Sequence, residues 1–147
     1  MSILQALLAS TPKQVWVAPP PQGKPSGDGS KASPVDLTTA FMTPSLVGPG
    51  TIVWLTAGRY DIGSDMYNQT ICGERERPII FRAAEAPGSV PGIVRATING
   101  LLYSTNGSDH VWWWGVEVAG HGAESGGVIT TKGPVGGGND CKMINVQ

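Results

Sequence analysis

The stretch His110-Val-Trp-Trp-Trp-Gly-Val-Glu-Val118 decides the reading of this chain. It is built from β-branched and aromatic residues, has no 3.6-residue period, and is broken by Gly115, so it reads as strand and bend rather than helix. Similar short runs lie around it at Thr51–Ala57, Gln69–Cys72, Ile79–Ala83, Val94–Ile98, Val128–Thr131 and Cys141–Gln147, separated by Gly, Pro and Asn. Seven strands (this one as Val111–Val118) with no helix between them leave a sandwich, a barrel or a solenoid.

Spacing separates these. Ile52, Ile79, Val111 and Cys141 recur at intervals of 27, 32 and 30 residues, and Ile71, Ile98 and Ile129 at 27 and 31, interleaved with the first series. Repeats of this length mark stacked coils. Aligned on the first series, Ile52/Ile79/Val111/Cys141 and Trp54/Phe81/Trp113/Met143 form two inward files. Val53/Ile80/Trp112/Lys142 and Leu55/Arg82/Trp114/Ile144 alternate outward, as Arg82 and Lys142 demand. The next column, Thr56/Ala83/Gly115/Asn145, holds Gly and Asn, which accept a left-handed backbone, and reads as the bend between strands.

Upstream, Val15-Trp-Val-Ala18 reads as a first strand and Pro19 to Ser33, rich in Pro, Gly, Ser and Lys, as a loop. Ser33 as N-cap, Pro34 at the first helical position and Asp36 as a short capping box predict a helix over Pro34–Met42. Its apolar side is Leu37, Ala40 and Phe41, and Thr43-Pro44 ends it. The chain thus divides into an N-terminal extension and loop, 1–33, and a helix followed by coils, 34–147. Met1–Ser10 is apolar, but its apolar run is short, broken by Gln5, and preceded by no basic residue. It reads as a short helix over 3–9 or a fraying end, and not as a clear signal peptide.

Composition narrows the function. Eleven acidic and ten basic residues give a net charge of −1 over 147 residues, so no electrostatic drive toward nucleic acid or an anionic membrane exists. The 40% hydrophobic content with five tryptophans is enough for a core, and no run reaches membrane-spanning length. Cys72 and Cys141 lack CxxC or CxxH spacing, which argues against zinc and a disulfide framework, and both read as buried thiols.

Several segments carry a resemblance. They are Gly48-Pro-Gly-Thr-Ile-Val-Trp-Leu-Thr-Ala-Gly-Arg-Tyr60, Arg77-Pro-Ile-Ile-Phe-Arg82, Arg95-Ala-Thr-Ile-Asn-Gly100, His110–Val118 and Asn139-Asp-Cys-Lys-Met-Ile-Asn-Val146. Over about Val35 to Gln147 the chain resembles the right-handed parallel β-helix proteins of the pectate-lyase-like superfamily, most nearly the N-terminal part of the alginate lyase and chondroitinase B type. It departs from them at Thr51, where an Asp is usual. The resemblance implies an all-β solenoid of about three coils under a short N-terminal capping helix. It further implies a truncated fragment whose C-terminal edge needs the remaining coils or another chain. It also implies an extracellular or cell-surface protein that meets a polysaccharide or oligosaccharide. The activity implied is cleavage of an acidic polysaccharide, by a lyase or hydrolase whose catalytic residues lie on later coils. The rival is a non-catalytic adhesin or phage-spike-like protein using the same scaffold for carbohydrate binding.

Candidate site residues follow from the outward columns. Trp112 and Trp114 present broad apolar faces suited to sugar rings; alternatively Val15-Trp16-Val17 covers them. For the lyase that the resemblance implies, Arg82, Lys142, Arg59 and Lys132 are candidates for positive charge at a uronate carboxylate, and His110 and His121, which flank one strand, are candidate bases for proton abstraction α to it. The plainer reading is loop and surface residues with no such role, since no motif links them. Glu85 and Glu117 share an outward column about one strand spacing apart, near 4.8 Å, where two carboxylates can bind Ca²⁺; the plainer reading is two solvated surface residues.

Overall fold

The computed structural model describes residues 11–61, 66–68, 71–85, 96–99, 102–104, 109–119, 129–130 and 142–144. The expectations for residues 3–9, His121, Lys132, Cys141 and Gln147 lie outside these.

The first strand, β1, is Lys13–Val17, and the helix, α1, is Leu37–Met42. Then follow β2 (Thr51–Leu55), β3 (Gly58–Asp61), β4 (Met66–Asn68), β5 (Ile79–Ala83), β6 (Ala96–Asn99) and β7 (Leu102–Ser104). The remaining strands are β8 (Val111–Trp114), β9 (Glu117–Ala119), β10 (Ile129–Thr130) and β11 (Lys142–Ile144). They assemble into a five-stranded sheet, β1-β2-β5-β8-β11, and two three-stranded sheets, β3-β6-β9 and β4-β7-β10. Every strand pair in them is parallel. After β1 the chain visits the large sheet and the two small ones in the same order each time. A parallel pair cannot be closed by a tight hairpin, so each return to the large sheet spans roughly 30 residues.

The two-series reading is corrected to three sheets. Ile98 lies in β6 and Ile129 in β10, whereas Ile71 is buried outside any strand. Even spacing of isoleucines picked out apolar positions without distinguishing which sheet, if any, each belongs to. The long expected strands also divide. Thr51–Ala57 ends at Leu55 before β3 begins, and Val111–Val118 splits into β8 and β9 around Gly115, whose φ of +69° is the expected left-handed bend.

Register in the large sheet requires a second correction. Val53 pairs with Phe81, Phe81 with Trp113 and Trp113 with Met143, while Trp54 pairs with Arg82. Val53 and Leu55 are therefore the inward residues of β2, fully buried, and Ile52 and Trp54 face out. The sequence of β2 has no charged residue to mark its outer face, so alternation alone left the one-residue slip open. The structure settles it through Thr51, which is buried with its Oγ1 accepting the Gly48 N–H at 3.2 Å.

Inside, Phe81 and Trp113 stack with centroids 4.4 Å apart and planes 18° apart, an arrangement worth about 0.5–1.5 kcal/mol beyond area burial. Phe41 of α1 reaches the same pair at 5.8 and 6.0 Å, and Leu37 and Ala40 are buried beside it, so the expected apolar side of the helix is the one that packs. The helix begins later than expected. Asp36, not Ser33, is its N-cap, with Oδ1 accepting the Thr39 N–H at 2.7 Å. Val35 is instead held extended beside β1: its N–H donates to Trp16 O and its carbonyl accepts Ala18 N–H, both at 3.1 Å. Together with Trp16 N–H donating to Gly29 O at 2.7 Å, these bonds occupy the outer edge of β1, which would otherwise be an open strand edge. Cys72 is exposed rather than buried, because Ile71 takes the interior position before the turn at Glu74–Arg77.

Tyr60 closes the first bend. Its hydroxyl lies 2.8 Å from the Thr56 carbonyl and 3.1 Å from that of Val17, with the Thr56 hydroxyl at 3.4 Å. Burial pushes the Tyr60 phenol well above its ordinary value, and the Glu85 carboxylate adds to the rise.

Two predictions follow from register and bend. Val53→Ala is expected to cost about 2 kcal/mol and Ile52→Ala under about 1 kcal/mol in urea unfolding; the reverse order would mean the slipped register. For Tyr60, both states are neutral below pH 10.0. Above it the unfolded chain ionises while the folded one keeps its proton, so stability falls as pH rises. Tyr60→Phe should lose about 1 kcal/mol at neutral pH and show a shallower alkaline decline in thermal melts.

Candidate functional site

The outer face of the large sheet carries two rows set by strand register. One is Gln14, Ile52, Ile80, Trp112 and Lys142; the other is Trp16, Trp54, Arg82, Trp114 and Ile144. Neither row contains a carboxylate, so the charged residues of these two rows are all positive.

The second row is a continuous file of rings and cations. Lys31 Nζ sits 4.9 Å from the centre of the Trp16 ring. Trp16 and Trp54 stack at 5.9 Å and 22°. The Arg82 guanidinium carbon is 5.3 Å from Trp54 and 4.5 Å from Trp114, so Arg82 lies between two indoles. Each cation faces a ring's negative π surface, a contact worth about 0.5–1 kcal/mol when half-exposed. Parallel pairing creates this file, because in-register neighbours along a sheet sit one strand spacing apart, and that spacing matches ring stacking.

This arrangement changes the expected role of the tryptophans. Both faces of Trp54 are taken, by Trp16 and Arg82, and Arg82 takes one face of Trp114. The row therefore offers ring edges and a guanidinium, not a set of open indole platforms. Trp112 lies in the other row, half-buried, with Lys142 next to it in register. Val15-Trp16-Val17 does not lie across Trp112 and Trp114. It forms β1 at the far side of the sheet, with β2 and β5 between, and adds Trp16 to the file. Trp54 Nε1 is buried with no hydrogen-bond partner, a donor whose desolvation goes uncompensated.

The other candidates lie off these two rows. Glu117 opens β9, where its Oε2 accepts the Thr97 hydroxyl at 3.0 Å. Glu85 follows β5, half-buried, with Oε2 buried and unpartnered. No group of three or more His, Cys, Asp or Glu suited to a metal ion occurs among the described residues. Arg59 pairs with Asp61 at 2.7 Å on an exposed surface, and His110 holds a φ of +53° with its carbonyl accepting the Ile79 N–H.

Sequence reasoning passed over Lys24 and Lys31, which sit in the Pro-rich loop. With Gln22 and Thr56 they line a hollow of about 500 Å³ beyond the ends of β1 and β2. A second hollow of about 390 Å³, lined by Lys13, Ile52, Arg77 and Ile80, lies at the opposite ends of the strands. Among the described residues no helix is long and apolar enough to cross a membrane.

Comparison of the chain with protein-family models, with curated proteins and with solved structures finds no match in any of the three.

The cation–ring file makes its own prediction. In a double-mutant cycle, Arg82→Met and Trp114→Leu should couple by about 0.5–1 kcal/mol in unfolding free energy; additive losses would mean the two side chains are adjacent without attraction.

Proposed function

We propose that this chain is part of a right-handed parallel β-helix whose large-sheet face binds an acidic polysaccharide. The ordered return of the chain to three parallel sheets supports the solenoid, with β2-β3-β4, β5-β6-β7 and β8-β9-β10 as successive turns and β11 opening another. Binding rests on one observation: Arg82 held between Trp54 and Trp114 on a face whose two register rows hold no carboxylate.

The chemistry is direct. A guanidinium stacked on rings keeps its in-plane N–H groups available, and those donors match a carboxylate in a two-point contact. Flanking indoles restrict its rotamers, so less freedom is lost when a uronate arrives. Lys31 extends the positive field beyond Trp16, and the half-buried Trp112 and Trp114 give apolar contact to sugar C–H groups. In a lyase, the same cation would neutralise the uronate carboxylate and so acidify the α-proton. A base for that proton is not assigned to any described residue, and cleavage belongs to the reading through the resemblance alone. On this reading the protein works outside the cell or at its surface, where such polymers are met.

Calorimetry with oligouronates and neutral oligosaccharides of equal length tests this. Binding should be confined to the oligouronates and weaken about tenfold in Arg82→Gln; equal binding of the neutral series would reject the reading. Growth of unsaturated-uronate absorbance in the same mixtures separates an enzyme from a binding protein.

A further inference from the structure

The hollow beyond β1 and β2 is continuous with the aromatic file through one residue. Lys31 stands over the Trp16 ring and also lines the hollow with Lys24, Gln22 and Thr56. Of the residues that line it, two are lysines and none is acidic. Backbone bonds help hold its walls: Gly23 N–H donates to Pro19 O at 3.1 Å and Lys24 N–H to Pro34 O at 3.2 Å. Gly23 is packed so closely against the Ala18 and Val35 carbonyls that a Cβ there would collide with backbone. The cleft is thus shaped before any ligand arrives, a condition that lowers the entropic cost of binding.

We infer that this cleft is an anionic subsite that takes a carboxylate-bearing sugar unit of the polysaccharide beyond the units lying on the sheet face. The inference rests on the proposed polysaccharide binding and deepens it by extending the bound path past the first strand. Two lysines lining a hollow of about 500 Å³, with Gln22 and Thr56 beside them, suit one charged and hydroxylated ring. The polyanion crosses Trp114, Arg82, Trp54 and Trp16 in turn, and Lys31 hands it from the last ring into the cleft.

The test uses the full chain and oligouronates of increasing length, read by calorimetry, with wild type, Lys24→Gln and Arg82→Gln compared. Lys24 is exposed and outside the file, so its replacement leaves the fold and the sheet face intact. Arg82→Gln should weaken every length. Lys24→Gln should leave short oligomers unchanged and weaken those long enough to reach the cleft by roughly three- to tenfold. A Lys24→Gln protein that binds all lengths as wild type, or loses equally at all lengths, overturns the subsite while leaving the face reading intact. An Arg82→Gln protein with unchanged affinity throughout, or a wild type that binds no oligouronate, overturns the face reading and the subsite with it.

Discussion

Parallel, in-register stacking of β2, β5 and β8 is the constraint on which both sides of this protein depend. In a strand, consecutive side chains go to opposite faces, so the pairing that places Phe81 on Trp113 inside also places Arg82 between Trp54 and Trp114 outside. Neither arrangement can be altered without the other. A slip by one residue would bury Arg82 and Trp54 and expose Val53 and Phe81. The core and the candidate binding face are two views of one register.

The ends of the strands are managed by different means. Outside β1, residues Gly29 and Val35 take up the backbone groups that an edge strand leaves unpaired. The same loop then returns to form α1, whose Phe41 packs against Phe81 and Trp113. One segment thus blocks the edge, plugs the interior and walls the basic cleft. At the bend after β2, Tyr60 ties the carbonyls of Thr56 and Val17 with a hydroxyl that burial keeps protonated, so the turn between sheets is pinned to the first strand.

Ring stacking inside and outside the sheet has different consequences. The Phe81–Trp113 pair is buried and contributes mainly through area and close packing. The outer file is half-exposed, and its energy lies in one ring stack and the cation–ring contacts flanking it, which solvent partly screens. The rings on either side of Arg82 orient its guanidinium on this face.

The strands of the large sheet, the β-rich class, the buried helix face Leu37, Ala40 and Phe41, and the Gly115 bend were legible in the residues, whereas β3, β4 and β7 were not, since period, branching and left-handed tolerance are local properties that the shortest strands carry weakly. Arg82 was legible as an outward residue for the same reason: a charge in an apolar run marks its face. The register of β2 was not, because Ile52, Val53, Trp54 and Leu55 are apolar on both faces and only their partners distinguish in from out. The helix start was not legible, because Val35 is drawn into pairing with β1 and Pro34 accepts from Lys24 N–H, contacts the local pattern does not contain. The basic cleft needed tertiary structure for the same cause. Lys24 and Lys31 read as loop lysines until backbone hydrogen bonds fold their loop against the first strand and bring one of them onto Trp16.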